Sequence, residues 1–295
     1  MKADRTGLLA GLLAYSLWGL YPFYFKALHH VSSVEILAHR IVWSLVMLSP
    51  LLALVEVRSD LRRVFRTPKL LLGMCVSTLI ISSNWLVYVL AVQGGHVLEA
   101  SLGYFLSPLT FIVLALIVLR ERLRPLQWTA VGIAALGVLW MIVHAGVVPK
   151  IALFLGVSFS VYGLLRKRLP IAPIPGLFLE CLFATPLAAF LYGYTQVHGG
   201  IAFLHTGWFT DLLIVLAGFV TVGPLWLFNV AAKRLPLATI GMLQYIAPTL
   251  LFVVGAFVFH EPTDAGRLIG FAMIWVALAF YSADALRRTR VAATS

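Results

Sequence analysis

Apolar residues in this chain come in long runs, and polar residues gather in the short gaps between them. Ten runs are centred near residues 15, 45, 81, 108, 135, 158, 185, 221, 247 and 276. A helix needs roughly 20 mostly apolar residues to cross a bilayer. The pattern therefore predicts an all-α polytopic membrane protein with ten transmembrane helices. The sixth run, "IALFLGVSFSVYGLL", is the shortest, and the first is interrupted by "WGLYP". The longest connections, "EVRSDLRRVFRTPK" and "QVHGGIAFLHTGWFTD", leave no room for a soluble domain. The start, "MKADRTGLLAGLLAYSLWGLYPFYFK", reads as an uncleaved first span. Its apolar run exceeds the 7–15 residues of a signal-peptide core, and it lacks an A-x-A-like cleavage site.

Composition agrees: 61% of residues are hydrophobic and 11% charged, with a mean hydropathy of +0.98. Soluble domains average about 25% charged residues, so most of this surface faces lipid. A formal charge of +11 would suggest nucleic acid only if the basic residues formed one face. They form clusters between apolar runs instead, which predicts topology and no nucleic-acid partner. Eighteen of the 22 Lys and Arg lie in alternate connections and both termini, and the other four are Lys26, Arg40, Lys150 and Arg267. Both termini are thus expected in the cytoplasm. Cys75 and Cys181 fall inside apolar runs, so no disulfide is expected. The chain lacks G-x-x-x-x-G-K-[ST], G-x-S-x-G and H-E-x-x-H, and "HEPT" at 260–263 lacks a second His. Neither a nucleotide cradle, nor a metal, nor a cofactor is predicted, and no ATPase subunit is required.

An internal repeat divides the chain into halves, residues 1–145 and 150–290. "LEASLGYFLSPLTFIVLALIVLRER" and "LATIGMLQYIAPTLLFVVGAFVFHEP" each place a Glu thirteen residues after a mid-helix Pro. Pro108 and Pro248 are 140 residues apart, as are Glu121 and Glu261, while "WGL" at 18–20 and "YGL" at 162–164 are offset by 144. Five spans per half is an odd number, so the halves must insert head-to-toe. Inverted repeats build alternating-access transporters, with the site near the midplane. An old duplication kept for packing predicts the same pattern.

"EILAHRIVWS", "SNWLVYVLAV", "LEASLGYFLSPL", "LQYIAPTL" and "IWVALAFY" closely resemble the RarD branch of the EamA-domain drug/metabolite transporters, over essentially the whole chain. The resemblance implies a ten-helix bacterial inner-membrane carrier. The first four helices of each half would surround a central cavity, with the fifth and tenth outside. The branch carries a label of chloramphenicol sensitivity, and its superfamily moves amino acids, metabolites and drugs.

Polar residues inside the runs are the candidate chemistry. Glu35, His39 and Arg40 lie near the outer end of the second span. Glu35 and His39 share a face, and Arg40 points about 100° further round. An intramembrane charge usually faces protein or water, so the cluster reads as an outer gate, an anion-binding corner or a proton-exchanging pair. Local snorkelling explains it equally well. Glu99 is either a partner for Arg40 or an acid favoured by its helix dipole. Glu180 has no base beside it in its own helix and is either a candidate proton carrier or a Glu hydrogen-bonded within the bundle. Asn84, Trp85, Asn229, Gln244 and Tyr245 sit inside spans, and Gln244 occupies the place of Tyr104 at the 140-residue offset. A proline frees a backbone carbonyl one turn back, and irregular backbone at membrane depth usually lines a cavity. These residues are therefore candidates for substrate contact, with Trp18, Tyr15, Tyr21 and Tyr88 as stacking walls.

The predicted function is a secondary transporter that exports or exchanges a small metabolite or drug. The alternatives are a membrane-embedded enzyme acting on lipid-linked substrates and a structural or regulatory subunit. The inverted halves are testable by cysteine labelling in intact cells. Cysteines placed at Arg122 and Arg267 are expected to react from opposite faces of the membrane, and reaction from one face removes the head-to-toe arrangement.

Overall fold

The computed structural model describes residues 4–146, 148–260 and 264–294, so Glu261 lies outside the described residues. Asp4 opens the first helix by accepting the Gly7 N–H at 2.9 Å, which satisfies one of the free donors of the first turn. α1 (Arg5–Gly19) stops at Leu20, and α2 (Tyr21–Ala27) restarts with Pro22 in its first turn. The hydroxyl of Ser32 caps α3 (Ser33–Leu48), which runs into a 3-10 turn at Ser49–Ala53.

α4 (Val55–Arg66) precedes α5 (Pro68–Gln93), α6 (Val97–Ile117) and α7 (Pro125–Ala145). α8 (Lys150–Arg168), α9 (Pro173–His198) and α10 (Trp208–Arg234) follow. α11 (Leu237–Gln244) breaks at Tyr245, α12 (Ile246–Val253) continues into a π turn at Val254–Val258, and α13 (Ala265–Thr294) ends the chain. No strand occurs among the described residues. Prolines open α5, α7 and α9, where a missing N–H costs nothing. Pro108, by contrast, sits inside an unbroken α6.

Nine helical segments of the described residues are long and apolar enough to cross a membrane. α8 is not among them, because only residues 151–165 separate Lys150 from the basic Arg166, Lys167 and Arg168. Its two ends nevertheless fall among two different groups of connections. Ile151 meets Glu99 at one end, and Arg168 donates to the Val118 carbonyl at the other. The second group also holds an Asp4–Arg234 pair, an Arg124–Asp284 pair and a bond from Lys233 to the Leu169 carbonyl. The charge-rich connection at 55–66 forms the amphipathic α4. It buries Val57 and Val64 and keeps Arg58, Arg62, Arg63 and Arg66 exposed, the pattern of a helix lying in the interface.

The interior centres on rings from several helices. Phe228 of α10 touches Tyr15, Phe111, Phe159 and Tyr162 at centroid separations of 5.3–6.4 Å. α7 and α13 pair with each other, with Gly137 against the Gly270 carbonyl. Between helices in lipid the driving force is close packing, which small residues permit. Gly218 of α10 is the tightest such place against main chain, since an added Cβ would stand 2.5 Å from the Trp43 carbonyl carbon of α3. Gly218→Ala must push α10 from α3. We expect a loss of about 1–3 kcal/mol, read as a lower melting temperature in micelles. Gly193→Ala, with nothing within 4 Å of the new methyl group, is expected to leave that temperature unchanged.

Candidate functional site

Arg40 of α3 is half-buried and faces α5 and α10. Its Nε donates to Thr221 Oγ1 of α10 at 2.9 Å, and its guanidinium carbon lies 5.3 Å from the Trp85 ring centroid of α5. Tyr88 packs edge-on against Tyr104 at 6.1 Å. Tyr21 and Tyr24 donate to the Val220 and Leu213 carbonyls of α10, which ties the segment after the break between α1 and α2 to α10. Among the described residues Arg40 forms no ion pair, and no hydrogen bond engages its terminal nitrogens.

A second polar cluster joins four helices nearer the basic end. Arg166 is fully buried, and its Nε donates to Asn229 Oδ1 at 2.9 Å and stands 3.5 Å from Glu180 Oε1. Ser77 donates to Glu180 Oε1 at 2.7 Å and Tyr162 to Oε2 at 3.1 Å. Asn229 donates to the Leu225 carbonyl at 2.8 Å. The guanidinium lies flat against α9 where Gly176 has no side chain, since a Cβ there would stand 2.2 Å from a terminal nitrogen. Glu180 thus finds on α8 the base that its own helix lacks.

Gln244 and Tyr245 are spent on a helix crossing. Gln244 Nε2 donates to Ser107 Oγ at 2.8 Å, and the Tyr245 hydroxyl reaches the Phe105 carbonyl at 3.4 Å. Gly241 lets α11 close on the Pro108 carbonyl. The two proline regions therefore meet directly, with Tyr245 fully buried and Gln244 nearly so. Gln244 Oε1 has no partner among the described residues. Asn84 fastens α5 to α8 through the Leu155 carbonyl and Ser158 Oγ. Trp18 packs between Tyr15, Phe159 and Phe228.

The carboxylates at the other end hold main chain. Glu35 is buried and accepts the N–H groups of Ala202 and Phe203 at 2.9–3.1 Å, which ties α3 to the connection before α10. His39 stands 3.8 Å from Glu35 and faces Phe203 and Tyr192. Glu99, weighed above as a partner of Arg40, accepts the Ile151 N–H at 2.6 Å and caps α8.

A cavity of about 410 Å³ opens between α6, α7, α12 and α13, lined by Tyr104, Phe105, Pro248 and Phe252. His144 and Arg267 meet Asp264 at its mouth, at 2.9 and 3.3 Å. The Arg267 backbone N–H, then His144, hold the Asp264 carboxyl below its ordinary range. Tyr104 and Pro248 line this cavity, whereas Gln244 and Tyr245 do not. Arg166, Tyr162, Ser77 and Thr221 were not singled out in the sequence. Arg166 stands in a basic triplet at a helix end, where a solvated role is the usual one, and the brevity of the sixth run was the signal that it lies deeper.

Residues 5–143 match the EamA-like transporter family. An uncharacterized transporter of Pseudomonas aeruginosa is 44% identical over 97% of this chain and 96% of its own length. Protein RarD of Escherichia coli is 40% identical over 98% of both chains. A protein of Pseudomonas aeruginosa called chloramphenicol-sensitive protein RarD is 30% identical over 98% of both. A crystal structure of a protein 20% identical superimposes with a TM-score of 0.71, covering 95% of this chain and 98% of that one. That likeness concerns the fold.

The Arg166–Glu180 pair generates a double-variant test. Removing one partner leaves a buried charge alone, which costs roughly 3–5 kcal/mol. Glu180→Leu and Arg166→Met are each expected to lower stability by that order in micelles. The double variant is expected to lose less than either single change. Additive losses would mean that the two side chains act independently.

Proposed function

Since the chain belongs to the RarD branch of the EamA-like transporter family, we propose that it is a secondary transporter exporting or exchanging a small metabolite or drug by alternating access. In this reading ten spans, α8 included, form two five-helix halves at residues 1–145 and 150–290, inserted head-to-toe. Several matched features support it. Arg120 and His260, 140 residues apart, both take a left-handed conformation with φ of 53°, uncommon for residues other than glycine. Arg40 is the eighth residue of α3 and Glu180 the eighth of α9. The pairings of α1 with α10 and of α8 with α5 exchange under the same repeat. The termini lie in the cytoplasm of a bacterial inner membrane, as the distribution of Lys and Arg predicts.

The observation that carries the proposal is a cation without a carboxylate at the meeting of several helices. Arg40, Trp85, Tyr104, Tyr88 and Tyr21 form the substrate site. The Arg166–Glu180–Asn229 cluster and the aromatic plug around Phe228 close the cytoplasmic end in this conformation. Glu35, His39 and Glu99 gate the outer end, with His39 beside Glu35 as the place for a coupling proton. Asn84, Gln244 and Tyr245 act one step back, by setting the helix crossings that frame the site. Chloramphenicol, from the name of one relative, is a reasonable first solute.

Purified protein in sealed liposomes is expected to support gradient-dependent flux of a radiolabelled solute from a panel of metabolites and chloramphenicol. Tyr104→Ala is expected to lower that flux severalfold with folding intact, the size of an aromatic contact of about 0.5–1.5 kcal/mol. Chemical conversion without flux would favour a membrane-embedded enzyme, and unaltered flux in Tyr104→Ala would remove that residue from the site.

A further inference from the structure

The charges at the eighth positions of α3 and α9 are handled in opposite ways. Glu180 is balanced from within, by Arg166 at 3.5 Å and by hydroxyl donors from Ser77 and Tyr162. Arg40 has one acceptor, Thr221, through Nε, and the face of Trp85. Its two terminal nitrogens bear four N–H donors, and none meets an acceptor among the described residues.

The nearby charged groups are committed elsewhere. Glu35 holds Ala202 and Phe203, Glu99 holds Ile151, and Asp211 accepts the Leu204 N–H at 2.7 Å. Lys26 is exposed and lies 3.6 Å above the Phe259 ring, whereas Arg40 is half-buried against the Trp85 ring. A cation at membrane depth is costly without a counter-charge, and the ring face supplies only part of one.

We infer that the cluster of Arg40, Trp85, Tyr88 and Tyr104 binds a small monocarboxylate with a planar apolar body. The carboxylate bridges the two terminal nitrogens of Arg40, and the body lies among Trp85, Tyr88 and Tyr104. The planar fork of a guanidinium matches the two oxygens of a carboxylate. One cation balances one negative charge, so a doubly charged phosphate would leave an excess anion at this depth. The aromatic walls supply apolar contact from side chains with little rotamer freedom to lose. The inference rests on the carrier reading for the fate of the ligand and not for its binding.

The test uses the full-length protein in micelles and its melting temperature, which rises for a ligand that binds only the folded state. The probes are benzoate, phenylacetate and indole-3-acetate, each paired with its neutral amide. At least one acid is expected to raise the melting temperature in a saturable way while its amide does not. Arg40→Gln is expected to abolish the shift, and Arg40→Lys to weaken the apparent affinity roughly tenfold, since a point charge replaces a fork. If Arg40→Gln does not fold, the contrast between acid and amide on the unaltered protein decides. No shift with any acid, an equal shift with the amide, or a shift retained in Arg40→Gln overturns the inference. Flux of the bound acid, radiolabelled, in sealed liposomes separates the two claims. A shift without flux removes the carrier reading and leaves the site. Flux of other solutes without an acid-specific shift removes the site and leaves the carrier.

Discussion

A charge kept from water must find its compensation inside the protein, and in this chain that requirement is met most completely where Arg166 crosses to Glu180. The pair draws on α5, α8, α9 and α10 at once, through Ser77, Tyr162, Gly176 and Asn229. Its worth to stability is not the point, because a buried pair barely repays the desolvation of its members. Its worth lies in position. The guanidinium fits only where α9 offers Gly176, so the rotation of α8 against α9 is specified. That rotation in turn presents Asn84 of α5 with the Leu155 carbonyl of α8.

Around this fixed point the helices are held by closeness rather than by greasiness. Lipid tails are as apolar as leucine, so burial between helices gains little. Gly218 against the Trp43 main chain and Gly241 against the Pro108 carbonyl give two such crossings. Both lie beside polar groups, the first near Ser44 and the second near Ser107 and Gln244. Short approach and hydrogen bonding thus occur together, and they leave the aromatic residues free to fill the centre.

Much of this arrangement was legible in the sequence, for definite reasons. Runs of apolar residues report lipid-length helices directly, and the interruption at "WGLYP" reappears as the break between α1 and α2. Depth and rotation were harder to read. Arg166 stands where two further basic residues follow it, yet only two residues in from the end of α8 it is buried. Gln244 and Tyr245 were read as facing a cavity, whereas they face α6; one residue along a helix is about 100° of rotation, and hydropathy does not report that angle. The backbone N–H partners of Glu35 and Glu99 were not legible, because they lie more than 50 residues away and leave no trace in local sequence. Hydropathy runs say nothing of α4, since an interfacial helix needs only one narrow apolar edge.

The way α4 is fastened has a consequence for lipids. Arg63 donates to the Pro170 carbonyl and Asp60 accepts the Ala172 N–H, so this helix grips the bend between α8 and α9. Its remaining arginines, Arg58, Arg62 and Arg66, are exposed, and anionic headgroups attract each such side chain by about 1 kcal/mol. A tilt of α9 would therefore carry α4 with it, and the anionic lipid content around those arginines would bear on the bundle through one bend in the backbone.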